Sequence, residues 1–489
     1  MRLSNILKNC QTNFFLENFS DFNVKEISCD SRVIKNNCIF VAIAGNNDNG
    51  ENYINDVKKY KKIAVIISSN SKKQFNSTQT IFIKTSEVRK LFSEIASIIN
   101  KNSLKEKVAI TGTNGKTSIS DYTRQIWEKL DFNVASIGTL GLIFNKKKIE
   151  TSSLTTPDPV KLNKQLNLIS KKKCKKIVIE ASSIGLEQER LFPLKFDKVA
   201  FSNLSRDHLD YHKNFSNYKN AKSLLFSKHT KKNSIAILNI DNRYSHFFFQ
   251  ICVKKKLKIL DYGKRGKFLK LSNLKKKDDG YEYRIFLKNK TQKIFTKGVA
   301  EFEIYNKICA LILVFGEELS FDKFKFLENL KNPPGRLDKV KKDWNIFIDY
   351  AHTPDALKNV LSSLKKECKG NFFTIIGCGG ERDRTKRPLM TKEALKFSDK
   401  VIITDDNPRN ENPARIRNDM TKNLSRTDKK KVIEIVDRKE AIQHSISLLK
   451  KQDFLLIAGK GHENYQIIGS KKYFFSDKQI VKKIISKLK

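Results

Sequence analysis

Short apolar runs separated by helix-like segments recur along the chain, and this pattern predicts a protein built on sheets with crossover helices. Near the start, the runs over 38–43 and 63–67 are strand-like. The middle of the chain supplies further buried-strand candidates at 107–110, 176–179, 198–201 and 235–238. Because helix-like segments separate these candidates, we expect the strands to pair in parallel.

A turn-rich break at Asn332-Pro333-Pro334-Gly335 precedes the last block of the chain. In that block, strand-like runs return at 346–348, 372–376, 401–403, 432–435 and 454–457. Their spacing resembles a second doubly wound α/β arrangement. We therefore predict an α/β protein of three domains, over residues 1–98, 99–332 and 333–489, with a Rossmann-like C-terminal domain.

Composition fits this picture and excludes several classes. A chain of 489 residues with 39% hydrophobic and 30% charged residues is expected to be globular. No apolar run approaches the roughly 20 residues that cross a bilayer, and the stretch from Met1 to Leu16 lacks the apolar core of a secretory signal. The eight cysteines form no CxxC pair and indicate reduced thiols, so we expect a cytoplasmic protein.

The formal net charge of +44 is extreme and could indicate a nucleic-acid partner. The alternative is a chain that prefers Lys, Asn, Ile and Phe, as a strongly AT-biased genome would dictate. The lysines form short scattered runs, such as 171–173 and 275–277, without the interleaved aromatic residues of a recognition surface. Composition is therefore the favoured explanation, and no nucleic-acid partner is expected.

A glycine-rich loop follows the strand candidate at 107–110 and precedes a helix expected from Ser118. It reads Thr111-Gly112-Thr113-Asn114-Gly115-Lys116-Thr117-Ser118. Backbone N–H groups and a helix N-terminus at this place suit phosphates, with Lys116 reaching the β- and γ-phosphates and the Thr117 hydroxyl on Mg²⁺. The loop departs from GxxxxGK[ST], because Ile110 occupies the first glycine position. We predict a nucleoside triphosphate site, with a chance glycine-rich turn as the alternative.

The tetrapeptide Asp406-Asn407-Pro408-Arg409 follows the apolar run at 401–403. It offers a carboxylate, an amide and a guanidinium together, and such a set suits a small zwitterion that carries amino and carboxylate groups. Combined with the phosphate loop, the tetrapeptide indicates a ligase that uses ATP to join an amino acid to another molecule.

The variant GTNGKT of the phosphate loop resembles that of the Mur ligases, the ATP-dependent amide-bond-forming enzymes of peptidoglycan precursor synthesis. The resemblance extends through the whole chain. It implies an N-terminal UDP-substrate domain, a central P-loop ATP-binding domain and a C-terminal amino-acid-binding domain. It also implies ATP and Mg²⁺ as cofactors.

The resemblance implies the catalytic and metal-binding groups as well. Glu180 ends a strand candidate, where a carboxylate can hold Mg²⁺, although an ordinary solvent-facing strand end is the alternative. His208 is expected near a second Mg²⁺, and Lys222 matches a lysine that Mur ligases carbamylate into an anionic oxygen ligand. Lys116, Glu180, His208 and Lys222 are thus the predicted catalytic residues, and the predicted metal ligands are Thr117, Glu180, His208 and carbamylated Lys222.

The same family match implies which residues bind the nucleotide and the UDP-linked substrate. The predicted UDP-substrate residues are Ser31, Thr155, Thr156, Ser182, Gln188 and Arg190. The predicted ATP contacts are Gly112, Thr113, Asn114, Gly115, Lys116, Thr117, Ser118, Asn306, Arg336 and Asp349. From the sequence alone, Arg336 and Asp349 could instead be structural. Two departures are Ile184, where relatives carry His, and Glu303, where relatives carry Asn.

The tetrapeptide resembles that of the Mur ligase subfamily that adds meso-diaminopimelate. Enzymes that add L-lysine generally carry a different tetrapeptide at this place. The Arg409 fork suits the extra carboxylate of diaminopimelate. The predicted diaminopimelate-binding residues are Arg382, Asp406, Asn407, Pro408, Arg409, Gly459 and Glu463. One departure is Glu381, where relatives usually carry Asp.

The implied reaction joins meso-diaminopimelate to UDP-MurNAc-L-Ala-D-Glu through an acyl phosphate. We expect a cytoplasmic monomer that acts on small molecules. The nearer alternatives are a lysine-adding Mur ligase and a folylpolyglutamate synthetase-like ligase, against which the tetrapeptide and the Thr155-Thr156 pair argue. The distant alternative is a nucleic-acid-binding P-loop ATPase, which leaves the C-terminal motifs unexplained.

Overall fold

A computed structural model describes residues 1–45, 48–73, 75, 77, 79–341 and 343–488. Sheets of five, eleven and six strands follow one another along the chain, and a two-stranded hairpin lies near its end. The prediction of an α/β protein with three α/β regions is confirmed, whereas the domain boundaries at 98 and 332 stay predictions. All eight cysteines are free thiols. In the described ranges, no helix has the length and apolar character needed to cross a membrane.

The first sheet has the strand order β1-β5-β4-β3-β2, and only β1 runs antiparallel to its neighbour. Its elements are α1 (Leu3–Lys8), β1 (Phe15–Glu17), β2 (Glu26–Ser28), β3 (Cys38–Val41), α2 (Ile54–Lys58), β4 (Ile63–Ser68), β5 (Thr80–Thr85) and α3 (Val88–Ile99). Helices α1 and α3 cover one face and α2 the other, which is why β4 is buried from Ile63 to Ile67.

The central sheet has the order β16-β15-β14-β13-β12-β11-β6-β10-β7-β8-β9. Its strands are β6 (Glu106–Thr111), β7 (Val134–Gly138), β8 (Gly141–Phe144), β9 (Lys147–Glu150), β10 (Lys176–Glu180), β11 (Phe196–Phe201), β12 (Thr230–Asn239), β13 (Lys258–Gly263), β14 (Leu269–Lys277), β15 (Gly280–Leu287) and β16 (Lys290–Lys297). Its helices are α4 (Lys116–Lys129), α5 (Pro159–Lys171), α6 (Ser183–Glu187), α7 (Leu209–His212), α8 (Phe215–Lys228), α9 (Ser245–Lys254) and α10 (Glu301–Phe315).

Strands β7, β10, β6, β11, β12, β13 and β14 pair in parallel, as predicted for the middle of the chain. The antiparallel additions β8–β9 and β15–β16 were not predicted. In β14 every second residue faces solvent, so its pattern lacks the continuous apolar run of a buried strand. Helix α4 begins at Lys116, two residues before the predicted Ser118 start.

The third sheet has the order β17-β18-β22-β19-β20-β21, with only β17 antiparallel. Its strands are β17 (Asp338–Lys341), β18 (Trp344–Asp349), β19 (Phe372–Ile376), β20 (Lys400–Ile403), β21 (Val432–Glu434) and β22 (Phe454–Ala458), and the hairpin is β23 (Tyr465–Ile468) with β24 (Lys471–Phe474). Its helices are α11 (Pro354–Lys365), α12 (Arg387–Phe397), α13 (Pro413–Thr421), α14 (Arg426–Lys429), α15 (Arg438–Ser447) and α16 (Asp477–Ile485).

The strand orders place the polar segments at the sheet edges where ligands bind in α/β folds. In the central sheet, β6 lies between β10 and β11, so the chain reverses direction across the sheet at this point. In the third sheet, β22 lies between β18 and β19 in the same way. The phosphate loop follows β6 and therefore faces a crevice of the central sheet. The tetrapeptide follows β20, two strands from β22, at the carboxyl edge of the third sheet.

Candidate active site

The phosphate loop turns sharply between β6 and α4. Gly115 adopts a φ of 89°, and a Cβ at this residue would lie 2.6 Å from Asn306 Oδ1. Only glycine fits there without strain. The loop is braced by Asn203, whose carbonyl accepts from Thr113 N (2.8 Å) and whose Oδ1 accepts from Asn114 N (3.0 Å). These contacts fix the first half of the loop and leave the N–H groups at the start of α4 for a ligand.

Lys116 opens helix α4 and folds back over the loop. Its Nζ donates to the carbonyls of Gly112 (2.7 Å) and Thr113 (2.8 Å). Burial lowers the pKa of its ammonium, and the Glu180 carboxylate opposes that effect. The arrangement keeps a cation at the place where phosphate charge would arrive.

Glu180, at the end of β10, joins several elements through its buried carboxylate. Its Oε2 accepts from the hydroxyls of Thr117 (2.9 Å) and Thr139 (3.0 Å), and its Oε1 accepts from Thr139 N (2.8 Å). Arg336 Nη2 donates to the same Thr117 hydroxyl (3.1 Å). Burial raises the pKa of Glu180, while Lys116 and Arg336 counteract it. The oxygen donors of Thr117 and Glu180 suit Mg²⁺, which takes one or two carboxylates together with phosphates.

Lys222 is buried in helix α8, contrary to the alternative of a solvated lysine. Its Nζ donates to the carbonyl of Gly112 (2.8 Å) and lies 4.5 Å from the ring centroid of Tyr218. Burial lowers the pKa of this amine well below its usual value, and Lys116 adds to the effect. A neutral amine is the form that adds CO₂, so the direction of this shift is the one that carbamylation needs, and carbamylation of Lys222 stays a prediction.

The two histidines that precede α8 have different side-chain partners. His208 has a φ of 52° just before α7, and its Nε2 is 3.5 Å from Asp207 Oδ2. His212 is buried and pairs through Nε2 with Ser183 Oγ (2.9 Å). Among the residues described, no group of three or more His, Cys, Asp or Glu side chains is arranged to hold a metal ion. The metal ligands Thr117, Glu180, His208 and Lys222 therefore stay predictions.

A cavity above the phosphate loop gathers most of the predicted ATP residues. Its lining includes Thr113, Asn114, Gly115, Lys116, Thr117, Ser118, Asn306, Arg336 and Asp349 but not Gly112. Asp349 accepts from Leu337 N (2.7 Å) and Ala351 N (2.7 Å), and burial raises its pKa. Asp349 thus also holds the segment that connects the central and third sheets.

Glu303, a departure from the family pattern, has a structural role at the start of α10. Its Oε2 accepts from Val299 N (2.6 Å) and Ala300 N (2.9 Å), and its Oε1 accepts from Asn332 Nδ2. A carboxylate at a helix N-terminus is favourable because of the exposed N–H groups. Glu303 and Asn332 both line the cavity above the phosphate loop, and no sequence motif singles out Asn332.

Four of the predicted UDP-substrate residues form one hydrogen-bonded cluster. Arg190 donates to Gln188 Oε1 (2.7 Å) and to the carbonyl of Thr156 (2.8 Å), and the Thr156 hydroxyl pairs with Ser182 Oγ (3.0 Å). Thr155 lies beside it, 3.1 Å from Thr139 Oγ1, and lines the ATP cavity.

Ser31 lies apart from this cluster, in a short 3-10 turn over Ser31–Val33, and no hydrogen bond joins its side chain to the cluster within the described part of the chain. Ile184, half-buried in α6, is the other departure in this region, and its aliphatic side chain can offer no hydrogen bond.

A second cavity gathers the predicted diaminopimelate residues at the edge of the third sheet. It is lined by Arg382, Asp406, Asn407, Arg409, Gly459 and Glu463, with Tyr465 beside them. Pro408 is buried outside the lining, where its carbonyl accepts from Glu411 N (3.2 Å). A Cβ at Gly459, whose φ is 109°, would lie 2.8 Å from Asp406 Oδ2.

The hairpin β23–β24 secures the tetrapeptide. Arg409 N donates to the carbonyl of Ile467 (3.1 Å), and Gly469 N donates to the carbonyl of Arg409 (2.8 Å). Arg409 Nη1 donates to the carbonyl of Gly380 (2.7 Å), which aims the guanidinium along the cavity. Glu381, the third departure, has a φ of 55° and accepts from Asn410 Nδ2 (2.9 Å), so it braces the same loop.

The two cavities meet at a shared wall formed by Asp207, His208, Tyr350 and His352. His352 Nδ1 lies 2.8 Å from the carbonyl of Tyr350, so the protonated nitrogen is Nδ1. Burial lowers the pKa of His352 to about 4. His352, three residues after Asp349, was missed in the sequence analysis, because nothing in the sequence distinguishes a residue of a cavity wall from a residue of a turn.

Comparison with known proteins gives a consistent picture. A family model described as the Mur ligase middle domain matches residues 110–314, and one described as the Mur ligase glutamate ligase domain matches residues 335–461. The chain is 40% identical over 468 residues to a UDP-N-acetylmuramoyl-L-alanyl-D-glutamate--2,6-diaminopimelate ligase of Rickettsia bellii, covering 94% of this chain and 96% of that protein. It is 36% identical to the enzyme of the same name from Phocaeicola vulgatus, covering 99% of this chain and 100% of that protein.

Solved structures agree with the sequence comparison. A structure of a UDP-N-acetylmuramoyl-L-alanyl-D-glutamate--2,6-diaminopimelate ligase superposes with a TM-score of 0.64 at 30% identity, covering 95% of each chain. The MurF ligase from Thermotoga maritima in complex with ADP has a TM-score of 0.61 at 16% identity, covering 95% of this chain and 97% of that one, which shows a shared fold.

Proposed function

The chain belongs to the Mur ligase family, and we propose that it joins meso-diaminopimelate to UDP-N-acetylmuramoyl-L-alanyl-D-glutamate at the expense of ATP. Its relatives carry the name of that ligase. The single observation that carries the proposal is the shared wall, because it puts a nucleotide cavity directly against a cavity suited to an amino acid.

In the first step, the γ-phosphoryl group of ATP passes to the free D-Glu side-chain carboxylate. A new O–P bond gives an acyl phosphate, the bond between the β- and γ-phosphates breaks, and ADP leaves. Lys116, the loop N–H groups and Arg336 neutralise the charge of the transferring group. Activation is needed because a carboxylate is a poor electrophile.

Mg²⁺ supplies charge neutralisation on the phosphates when it is bound. Thr117 and Glu180 offer it a hydroxyl and a carboxylate that already lie 2.9 Å apart. A carbamate on Lys222, with His208 nearby, would offer a second ion an anionic oxygen. As a plain amine Lys222 has no oxygen to offer, so the second site requires the modification.

The UDP-linked substrate is assigned to the cluster of Thr156, Ser182, Gln188 and Arg190, with Thr155 between this cluster and the ATP cavity. The Thr139 hydroxyl touches both Thr155 (3.1 Å) and Glu180 (3.0 Å). This link would lead the dipeptide end of the substrate toward the γ-phosphate. Ser31 is assigned to the same substrate on the family match alone.

In the second step, the amine of diaminopimelate attacks the acyl carbon, a tetrahedral intermediate forms, and inorganic phosphate leaves with one former carboxylate oxygen. Glu463 pairs with the distal ammonium and Arg409 with the distal carboxylate. Orientation by these two groups brings the reacting amine toward the shared wall. We also propose that the protein acts as a cytoplasmic monomer and that its charge of +44 has no nucleic-acid partner.

Phosphate release tests the proposal. The purified protein is incubated with ATP, Mg²⁺ and UDP-MurNAc-L-Ala-D-Glu, and diaminopimelate is compared with L-lysine. Release with diaminopimelate alone is expected. Release with lysine at equal efficiency would favour the lysine-adding alternative, and salt-sensitive ATPase activity stimulated only by nucleic acid would overturn the proposal.

A further inference from the structure

A buried lysine lies directly behind the amino-acid cavity. The side chain of Lys460 is fully buried, yet it does not line the cavity. Its Nζ is 3.1 Å from Asn407 Oδ1, 3.3 Å from Glu463 Oε2 and 3.9 Å from Asp406 Oδ1. It therefore contacts, from behind, three of the groups that face the substrate.

The same lysine helps to fix which atoms face the cavity. Asn407 Oδ1 accepts from both Lys460 Nζ and Ile467 N (3.0 Å), so Asn407 Nδ2 must be the atom that donates to Glu463 Oε2 (2.9 Å). With Oε2 occupied, the remaining oxygen of Glu463 is free for a ligand. One N–H of Asn407 and the guanidinium of Arg409 remain as donors.

The charge of the cluster around the amino-acid cavity is the second property that depends on Lys460. Asp406 and Glu463 carry two negative charges, and Lys460 and Arg409 carry two positive charges, while Arg382 beside Arg409 adds another. Burial and Asp406 raise the pKa of Glu463, and Lys460 opposes them. Without this lysine, two buried carboxylates would face each other without a cation between them, which favours protonation of one of them.

We propose that Lys460 is a positioning residue that selects an amino acid whose distal end carries both an ammonium and a carboxylate, and disfavours L-lysine. This inference rests on the proposed function. Lys460 already pairs with one oxygen of Glu463, which leaves one oxygen for a substrate ammonium. An amino acid whose distal end has no carboxylate gains only that contact and leaves the remaining donors of Asn407 and Arg409 unpaired. A zwitterionic end adds no net charge to the cluster, whereas a lone ammonium adds one positive charge. Lys460 then repels a distal end that carries only an ammonium, and Arg409 attracts a distal end that also carries a carboxylate.

Three variants separate charge from hydrogen bonding. Lys460→Met removes both, Lys460→Gln keeps a donor for Asn407 without the charge, and Lys460→Arg keeps the charge. Lys365→Met is the matched control. Lys365 belongs to α11 beside the third sheet, pairs with Asp399 at the protein surface and lines neither cavity. The readouts are kcat and KM for diaminopimelate, lysine and ATP, together with thermal melting.

We expect Lys460→Met and Lys460→Gln to lower the preference for diaminopimelate over lysine, in kcat/KM, by about tenfold or more, since a buried paired charge is lost. The KM for ATP stays unchanged, and Lys460→Arg and the control retain the preference. A fall in kcat/KM that is equal for diaminopimelate, lysine and ATP would overturn the inference. An unchanged preference for diaminopimelate in a folded Lys460→Gln protein would also overturn it. If the unaltered protein does not use diaminopimelate at all, the proposed function fails instead.

Discussion

Replacement of Glu180 by glutamine separates the chemical role of this carboxylate from its structural role. The three hydrogen bonds of Glu180 come from two threonine hydroxyls, which can rotate, and from Thr139 N, which donates to Oε1. In Glu180→Gln the amide oxygen can still accept from Thr139 N, and the hydroxyls can turn to accept from the new NH₂ group. We therefore expect the free energy of unfolding to change by less than about 1 kcal/mol.

Activity should respond very differently. The variant loses the negative charge that faces Lys116 and that suits Mg²⁺ beside Thr117. A fall in kcat of about 10²- to 10³-fold is expected, equal to roughly 3–4 kcal/mol of transition-state stabilisation. Phosphate release measures the rate, and urea unfolding measures stability. A variant within about tenfold of the normal rate, or one destabilised by several kcal/mol, would refute this reasoning.

The same variant tests the pKa of Glu180. Because burial raises this pKa in the folded protein, the group contributes stability below its unfolded-state pKa and loses that contribution as pH rises through the raised folded-state value. The Glu180→Gln protein should lack this part of the pH dependence. Unfolding curves of both proteins between weakly acidic and neutral pH measure the difference, and identical slopes would contradict the assignment.

Three further perturbations follow from the site. Removal of bicarbonate should lower activity, and ¹³C-labelled CO₂ should give a carbamate NMR signal that Lys222→Met lacks, because burial shifts the pKa of this amine downward, toward the neutral form that reacts with CO₂; an unlabelled active protein would contradict this. Arg409→Lys should raise the KM for diaminopimelate about tenfold or more with an unchanged KM for ATP, because a bidentate fork is lost; equal shifts in both constants would argue against that role. Glu303→Ala should destabilise the protein by about 1–2 kcal/mol through loss of the α10 cap, with little change in kcat; thermal melting beside the rate assay checks it, and an unchanged melting temperature would contradict the capping role.

The parallel core could be predicted from the sequence because buried strands leave a direct signature. Strands such as β4, β10 and β22 are continuous apolar runs, and each is followed by a loop with polar or glycine residues. Ligands bind outside the carboxyl ends of such strands, so the phosphate loop after β6, Glu180 at the end of β10 and the tetrapeptide after β20 could be expected near ligands from the sequence alone.

Other features depend on tertiary contacts and leave little trace in the sequence. Strand β15 alternates buried and exposed residues in its second half, and strand β16 is mostly exposed, so both resemble surface segments. Asn332 lines the cavity above the phosphate loop, and His352 lines both cavities. Both cavities combine residues of the central region with residues of the third region, so neither can be read from a local stretch of sequence. Lys460 could not be told from the many solvated lysines of this chain, since its burial behind Asn407 is set by the β23–β24 hairpin.

The most direct measurement follows oxygen from substrate to product. The D-Glu side-chain carboxylate of UDP-MurNAc-L-Ala-D-Glu is labelled with ¹⁸O and incubated with the protein, ATP, Mg²⁺ and an equal mixture of meso-diaminopimelate and L-lysine. Mass spectrometry is expected to find one ¹⁸O in the released phosphate and one in a tripeptide product that contains diaminopimelate. Unlabelled phosphate, or a product that contains lysine in equal amount, would contradict the central claim.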